Sequence, residues 1–384
     1  MKIEQCYWTA NEGWQTEQAA SLGGEATLVL LFGSAGLLCD DNRMSEVRAR
    51  YPGALLVGCS TSGEICGVRV RDDSLSVTAV RFERSTLKLV QTVIGEAGES
   101  WDAGARLAKA LPPEQLVHVV VLSDGLTVNG TELARGLREN LPTGVAVTGG
   151  MAGDGTYFQH TLVCADDTPQ EGLIAALGFY GEHLMVGYGS LGGWNPFGPE
   201  RLITRSKGNV LYELDGHSAL DLYKKYLGEQ AASPADALLF PLALRGGGEE
   251  DHGSESYGLV RSVMVVNEDD QSMTFAGDMP EGGHARLMKA NFDRLVDGAI
   301  GAARAGYEML GSVEPELALL VSCVGRKLVL KQRIEEEVEG VREVLGKGTV
   351  LAGFYSYGEI CPHGALTKCE LHNQTMTITT FSEH

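Results

Sequence analysis

Gly58-Cys59-Ser60-Thr61-Ser62-Gly63-Glu64-Ile65 and Gly353-Phe354-Tyr355-Ser356-Tyr357-Gly358-Glu359-Ile360 both read G-x-x-[ST]-x-G-E-I. Each follows an apolar run, Ala54-Leu55-Leu56-Val57 in the first case and Gly348-Thr349-Val350-Leu351-Ala352 in the second. A short apolar run closed by glycine and small polar residues reads as a buried strand ending in a turn. A shortened third version is Gly149-Gly150-Met151-Ala152-Gly153-Asp154. One turn repeated after one kind of strand predicts a duplication, with two related halves whose glycine-rich strand ends face a common cleft.

Further apolar runs lie outward from these turns. Thr27–Phe32 and Val117–Leu122 read as buried strands, and the alternating Leu75–Phe82 as a half-buried one. Helical patterns lie near Ser100–Ala110 and Gly130–Asn140, the second stopped by Leu141-Pro142. Others follow at Ser218–Leu227, His284–Leu310 and from Ile334 to Leu345; the last carries an acidic face of Glu335, Glu336, Glu337, Glu339 and Glu343 that reads as solvated. The fold class is therefore α/β in the mixed α+β sense, with mixed sheets flanked by helices around a shared cleft. The Gly/Pro-dense stretch from Gly189 to Pro199 predicts a boundary between domains at 1–198 and 199–384.

The 384 residues suffice for two or three domains, and 43% hydrophobic with 21% charged residues is globular, not disordered, composition. The 50 glycines show no G-x-y period, which excludes collagen. A formal net charge of -20 argues against nucleic acid and against anionic membrane surfaces as partners. No apolar run approaches the ~20 residues of a membrane helix, and Met1–Trp8 lacks a signal-peptide core. Eight scattered cysteines read as reduced thiols, and the expected location is the cytoplasm.

Enzyme motifs are missing from the repeated turns, which fit neither G-x-S-x-G nor a P-loop, and no histidine lies near Cys59 in sequence; no catalytic residue is expected. Tyr355, Tyr357 and Glu359 alternate, so in one extended strand they would share a face. With the flexible backbone at Gly353 and Gly358, with Arg326 to grip a carboxylate and with Asp124, they would suit a pocket for a small polar metabolite. The competing reading makes Glu64 and Glu359 structural and packs the tyrosine rings in the core. The segment Cys361-Pro362-His363 through His372 holds the densest set of ligand atoms. Its Cys-x-His spacing is too close for a usual zinc arm. Cys361-Pro362 is similar to the Cys-Pro pair of some haem sites, which makes His363, His372 and Cys361 candidate axial ligands of haem. His118, inside an all-apolar strand, reads as a hydrogen-bonded core residue.

The two G-E-I turns resemble the FIST family, and so do Glu213-Leu214-Asp215-Gly216, Met279-Pro280-Glu281-Gly282, Ser322–Arg326 and Leu371-His372-Asn373-Gln374-Thr375-Met376. The resemblance runs from about residue 25 to near the end and takes in both FIST regions. It implies a sensory ligand-binding protein of bacterial signal transduction, not a catalyst. Stand-alone members include NosP-type haem proteins that sense nitric oxide and signal to a histidine kinase or cyclic-dinucleotide enzyme. Other members are thought to bind small ligands such as amino acids. The partners expected are therefore such a kinase or cyclic-dinucleotide enzyme and a small ligand, with a homodimer as one option.

Overall fold

Three apolar strands, Leu28–Gly33, Leu116–Ser123 and Leu317–Cys323, each pair in parallel with the strand that ends in a glycine turn: Leu55–Ser60, Ala146–Met151 and Val350–Ser356. Parallel pairing needs a crossover, and Asp41–Arg50, Gly130–Asn140 and Ile334–Leu345 supply one helix each. The other side of each first strand carries an antiparallel strand, Ser74–Arg81, Leu173–Tyr180 or Met376–Glu383. Beyond these lie Lys2–Thr9, Thr86–Val93 and Leu184–Leu191. The computed structural model, which describes residues 1–228, 238–245, 259–311, 313–363 and 368–384, thus contains three modules of one connectivity. The two related halves read from the G-E-I echo extend to three units. The shortened Gly149–Asp154 version is the third turn.

The modules interlock in a ring. The strand after the first turn, Glu64–Cys66, joins the sheet of the third module beside Val350–Ser356. Gly358–His363 of the third joins the second beside Ala146–Met151, and Val163–Ala165 of the second joins the first beside Leu55–Ser60. Three backbone hydrogen bonds repeat this cycle: Ser62 N–H to Tyr355 O at 2.8 Å, Tyr357 N–H to Met151 O at 3.2 Å, and Gly153 N–H to Ser60 O at 2.9 Å. The glycines that open the turns have one shared cause. A Cβ at Gly58, Gly149 or Gly353 would overlap the carbonyl oxygen of Leu31, Val121 or Leu320 on the paired strand.

Period-2 alternation explains why the strands read as continuous apolar runs. Leu28, Leu30 and Phe32, Val120 and Leu122, and Leu317, Leu319 and Val321 face one common core enclosed by the three sheets. Phe32 and Phe354 stack there at 4.7 Å. The intervening Val29 and Leu31, Val119 and Val121, and Ala318 and Leu320 face outward under the helices.

Between Leu184–Leu191 and the helix Phe292–Met309 the chain inserts a fourth sheet, from Asn195–Lys207 to His284–Lys289, with the helix Ala219–Leu227 on it. The boundary expected at 198/199 falls within the strand Asn195–Lys207. The long helix expected over 284–310 is a strand followed by a helix. Ala285 and Leu287 alternate inward, and Asn291 caps the helix through the Arg294 N–H at 3.2 Å. Ser218 likewise caps its helix, and Ile334–Leu345 forms as its periodicity predicts. No helix among the described residues is long and apolar enough to cross a membrane.

Candidate functional site

The C-terminal ends of the parallel strands, the turns that follow them and the helix after Leu317–Cys323 converge at one end of the ring. There a cleft of about 820 Å³ opens, with walls from all three modules. The first contributes Thr61–Glu64, Asp72 and Asp73, the second Asp154–Tyr157, Gln159 and His160, and the third Lys327 and Lys331. Lys327 Nζ donates to Ser62 O at 2.7 Å and pairs with Asp72. The loop after the second turn is held by Asp154, which accepts from the backbone N–H groups of Phe158, Gln159 and His160 at 2.8–2.9 Å and from the Tyr357 hydroxyl. Burial alone would raise the Asp154 carboxyl. The bonds from His160, Tyr357, Gln159 and Phe158 outweigh it and bring the pKa below the ordinary value. Glu64 also lines the cleft and is buried. Burial pushes it up to about 7, against the lowering effect of the Ser74 and Thr61 hydroxyls.

The residues singled out from sequence do not form one pocket. The strand that would carry Tyr355, Tyr357 and Glu359 on one face breaks at Tyr357, because Val350–Ser356 and Gly358–His363 belong to different sheets. Tyr355 is fully buried, and its hydroxyl donates to Glu337 at 2.7 Å. Arg326 is fully buried too. Its guanidinium donates to Glu337 at 2.7 Å, to Gly192 O at 2.6 Å and to Leu295 O at 2.7 Å, which leaves it unable to grip a ligand. Glu337, read as part of a solvated face, is the buried partner that holds both.

Glu359 accepts from Ser356 Oγ at 2.7 Å and from Thr375 Oγ1 at 2.9 Å, tying the turn to the start of the last strand. Glu64 does the same for Ser74, so the structural reading of both glutamates holds. Asp124 is buried and accepts from Thr161 Oγ1 at 2.8 Å and from Gly172 N–H at 3.2 Å. Gly353 is required by strand packing, and Gly358 packs against Leu371 and Met151. Of Tyr355, Tyr357, Glu359, Arg326, Asp124, Gly353 and Gly358, only Tyr357 lines a described cleft.

The haem ligand set fares no better. Cys361 is fully buried in its strand, and burial pushes its thiol well above the ordinary value, away from the thiolate a metal takes. His372 is buried, with Nε2 at 3.1 Å from Cys361 O. Neither lines a described cleft, and they do not fit an axial-ligand role. His363 ends the strand Gly358–His363, and its side chain falls outside the described residues. His118 is buried against Thr148 Oγ1 at 2.8 Å, and burial lowers its pKa to about 3.

Lys327, Lys331, Asp72 and His160 were missed by the motif reading. Asp154 carried a signal, since it closes the shortened third turn.

Family models described as the FIST N domain and the FIST C domain match residues 27–217 and 219–362. No curated relative matches the sequence. Among solved structures, a chorismatase is 11% identical with 99% of this chain and 98% of that chain covered, at a TM-score of 0.33. A cyanuric acid hydrolase from A. caulinodans is 12% identical with 78% and 99% covered, at a TM-score of 0.18.

Proposed function

The chain belongs to the FIST family, whose domains are sensory domains of signal transduction proteins, and from that premise we propose that it senses a small zwitterionic metabolite such as an amino acid in the three-module cleft. The observation that carries this is the charge layout of the cleft. Lys327 and Lys331 stand on the third module's wall and Asp72 and Asp73 on the first module's. A carboxylate can take a donor of Lys327 that Ser62 O and Asp72 leave over, and an ammonium can face the aspartates. A ligand bridging modules favours one arrangement of them over another, which is the physical basis of a signal. The receiver would be a separate histidine kinase or cyclic-dinucleotide enzyme in the cytoplasm, reached by protein contact, and the chain itself would catalyse nothing.

The test is thermal unfolding of ligand-stripped protein against a panel of amino acids. A ligand at a hundred times its Kd adds about 2.7 kcal/mol to stability. Lys327→Met should weaken the hit at least tenfold by calorimetry. No stabilisation across the panel, or full affinity in Lys327→Met, overturns the reading. The haem expectation is separable from it: protein incubated with haemin would have to give a stoichiometric Soret band that moves with nitric oxide.

A further inference from the structure

A second cleft, of about 700 Å³, opens between the second module and the inserted sheet, and Thr156 and Tyr157 line both clefts. The charged side chains drop out across that loop. The second cleft is walled by Tyr157, Phe158, Tyr357 and Met151 on one side and by Met264 and Val265 on the other. No Asp, Glu, Lys, Arg or His lines it among the described residues. Phe158 and Tyr357 stack at 4.6 Å with their planes 19° apart, making one flat aromatic wall. That wall is fixed at both ends of the loop, because the Tyr357 hydroxyl is bound to Asp154 and the Asp154 carboxylate holds the Phe158 N–H at 2.9 Å. The mouth is apolar as well: Tyr157, Val265 and Leu126 line it and are 75%, 53% and 40% exposed. Large hydrophobic side chains left in water around a concave aromatic wall mark a place where something apolar is taken up.

We propose that this cleft is a second ligand site, distinct from the polar one, and that it takes an uncharged aromatic or heteroaromatic small molecule. The wall offers ring faces for stacking and edge contact. The polar side chains that line it are neutral: the hydroxyls of Thr156 and Thr274, the amide of Asn209, which gives one N–H to Phe275 O, and that of Asn129, whose Oδ1 caps its helix and whose Nδ2 donates to Asp278. They can orient a ring nitrogen or hydroxyl. An ionised ligand would lose its hydration without meeting a counter-charge, so the site selects against ions. An occupant would rest on Tyr157 and Thr156, the loop residues that also face the polar cleft.

The probes are indole, quinoline and p-cresol, with indole-3-acetate as the charged counterpart of indole, titrated into the full chain by calorimetry and ligand-observed NMR. At least one neutral probe should bind saturably, and indole-3-acetate should bind at least tenfold more weakly than indole. Val265→Asp places a carboxylate at the mouth from a position already half in water, so the fold is retained. It should weaken the neutral probe tenfold or more, and Met264→Trp, which fills the cleft, should abolish binding. Lys327→Met should leave the neutral probes unchanged, which separates this site from the polar cleft. The proposal is overturned if none of the three probes saturates, if indole-3-acetate binds as well as indole, or if both Val265→Asp and Met264→Trp keep full affinity.

Discussion

Glu359 is a carboxyl buried in its neutral form, and replacing it with glutamine should change how stability depends on pH. Burial raises its pKa from 4.5 to about 8, more than the bonds from Ser356 and Thr375 and the charge of Arg326 lower it. Between those two values the folded protein holds a proton that the unfolded chain has released. The stabilisation is therefore whole at low pH and is lost as pH rises, at about 1.4 kcal/mol per pH unit, until the folded carboxyl ionises near pH 8. From pH 5 to pH 8 the wild type should lose about 4 kcal/mol from this group alone. Glu359→Gln keeps the shape, and its amide oxygen can accept from Thr375 N–H and Oγ1 as Oε2 does, yet it has no proton to lose. Urea unfolding followed by circular dichroism at each pH from 5 to 9 measures the difference. Glu64, raised to about 7, titrates in both proteins and cancels. The variant should gain about 4 kcal/mol on the wild type across the range. A difference constant to within about 1 kcal/mol would mean that Glu359 is already ionised when folded, and the account of its burial would be wrong.

Arg326→Met should cost about 3–5 kcal/mol, because it leaves Glu337 buried with only hydroxyl donors, and adding Glu337→Leu should recover part of that loss in urea unfolding; a double variant no better than Arg326→Met refutes it. His118 works in the opposite pH sense to Glu359. With a folded pKa of about 3 against 6.5 in its ordinary state, it stays neutral while the unfolded chain takes up a proton. His118→Asn should therefore remove about 3 kcal/mol of the stability lost between pH 6.5 and pH 4, read from acid unfolding. Gly58→Ala, Gly149→Ala and Gly353→Ala should each destabilise by several kcal/mol in the same urea assay, whereas Gly98→Ala, with open space at its Cβ, should not. One tolerant member of the trio would break the equivalence of the modules.

Much of the fold was legible because it rests on patterns with a local cause. The runs at Thr27–Phe32 and Val117–Leu122 and the helices at Ser100–Ala110 and Gly130–Asn140 appear within a residue or two of where period and stop signals put them. The echo between the two G-E-I turns was real. Its third copy was obscured because the second module has no glutamate there and continues into the longer loop from Asp154 to His160. The site was less legible. Tyr355 and Tyr357 are two residues apart in sequence, yet they lie on either side of a crossing from one sheet to another, where period 2 no longer decides which face a side chain takes. Glu337 sits among four other glutamates of one helix, and only the tertiary position of Arg326 shows that it faces inward. Lys327 and Asp72 meet across 255 residues of chain, a distance no spacing rule spans.

The repeated turn and the ligand site follow opposite logics. Whatever recurs in all three modules serves what all three share. The carboxylate that anchors the start of the third strand is Glu64 in the first module and Glu359 in the third. In the second, which lacks that glutamate, Asp124 takes the Gly172 N–H just ahead of the same strand. The three junctions then diverge in what fills them. Arg326 and Glu337 fill the third, and Tyr357 with the inserted sheet walls the second. The cleft walled by all three modules stays open and charged. Counted from the paired residues Leu31, Val121 and Leu320, the seventh position is the buried Leu38, the buried Val128 and Lys327. A lysine where two sister modules place core residues lies outside their common packing, and it stands in the cleft, held to Ser62 O and Asp72. In a fold built by repetition, binding residues are best sought where the copies disagree. By that criterion Lys327 takes precedence in the polar cleft over the tyrosines and glutamate of the motif itself.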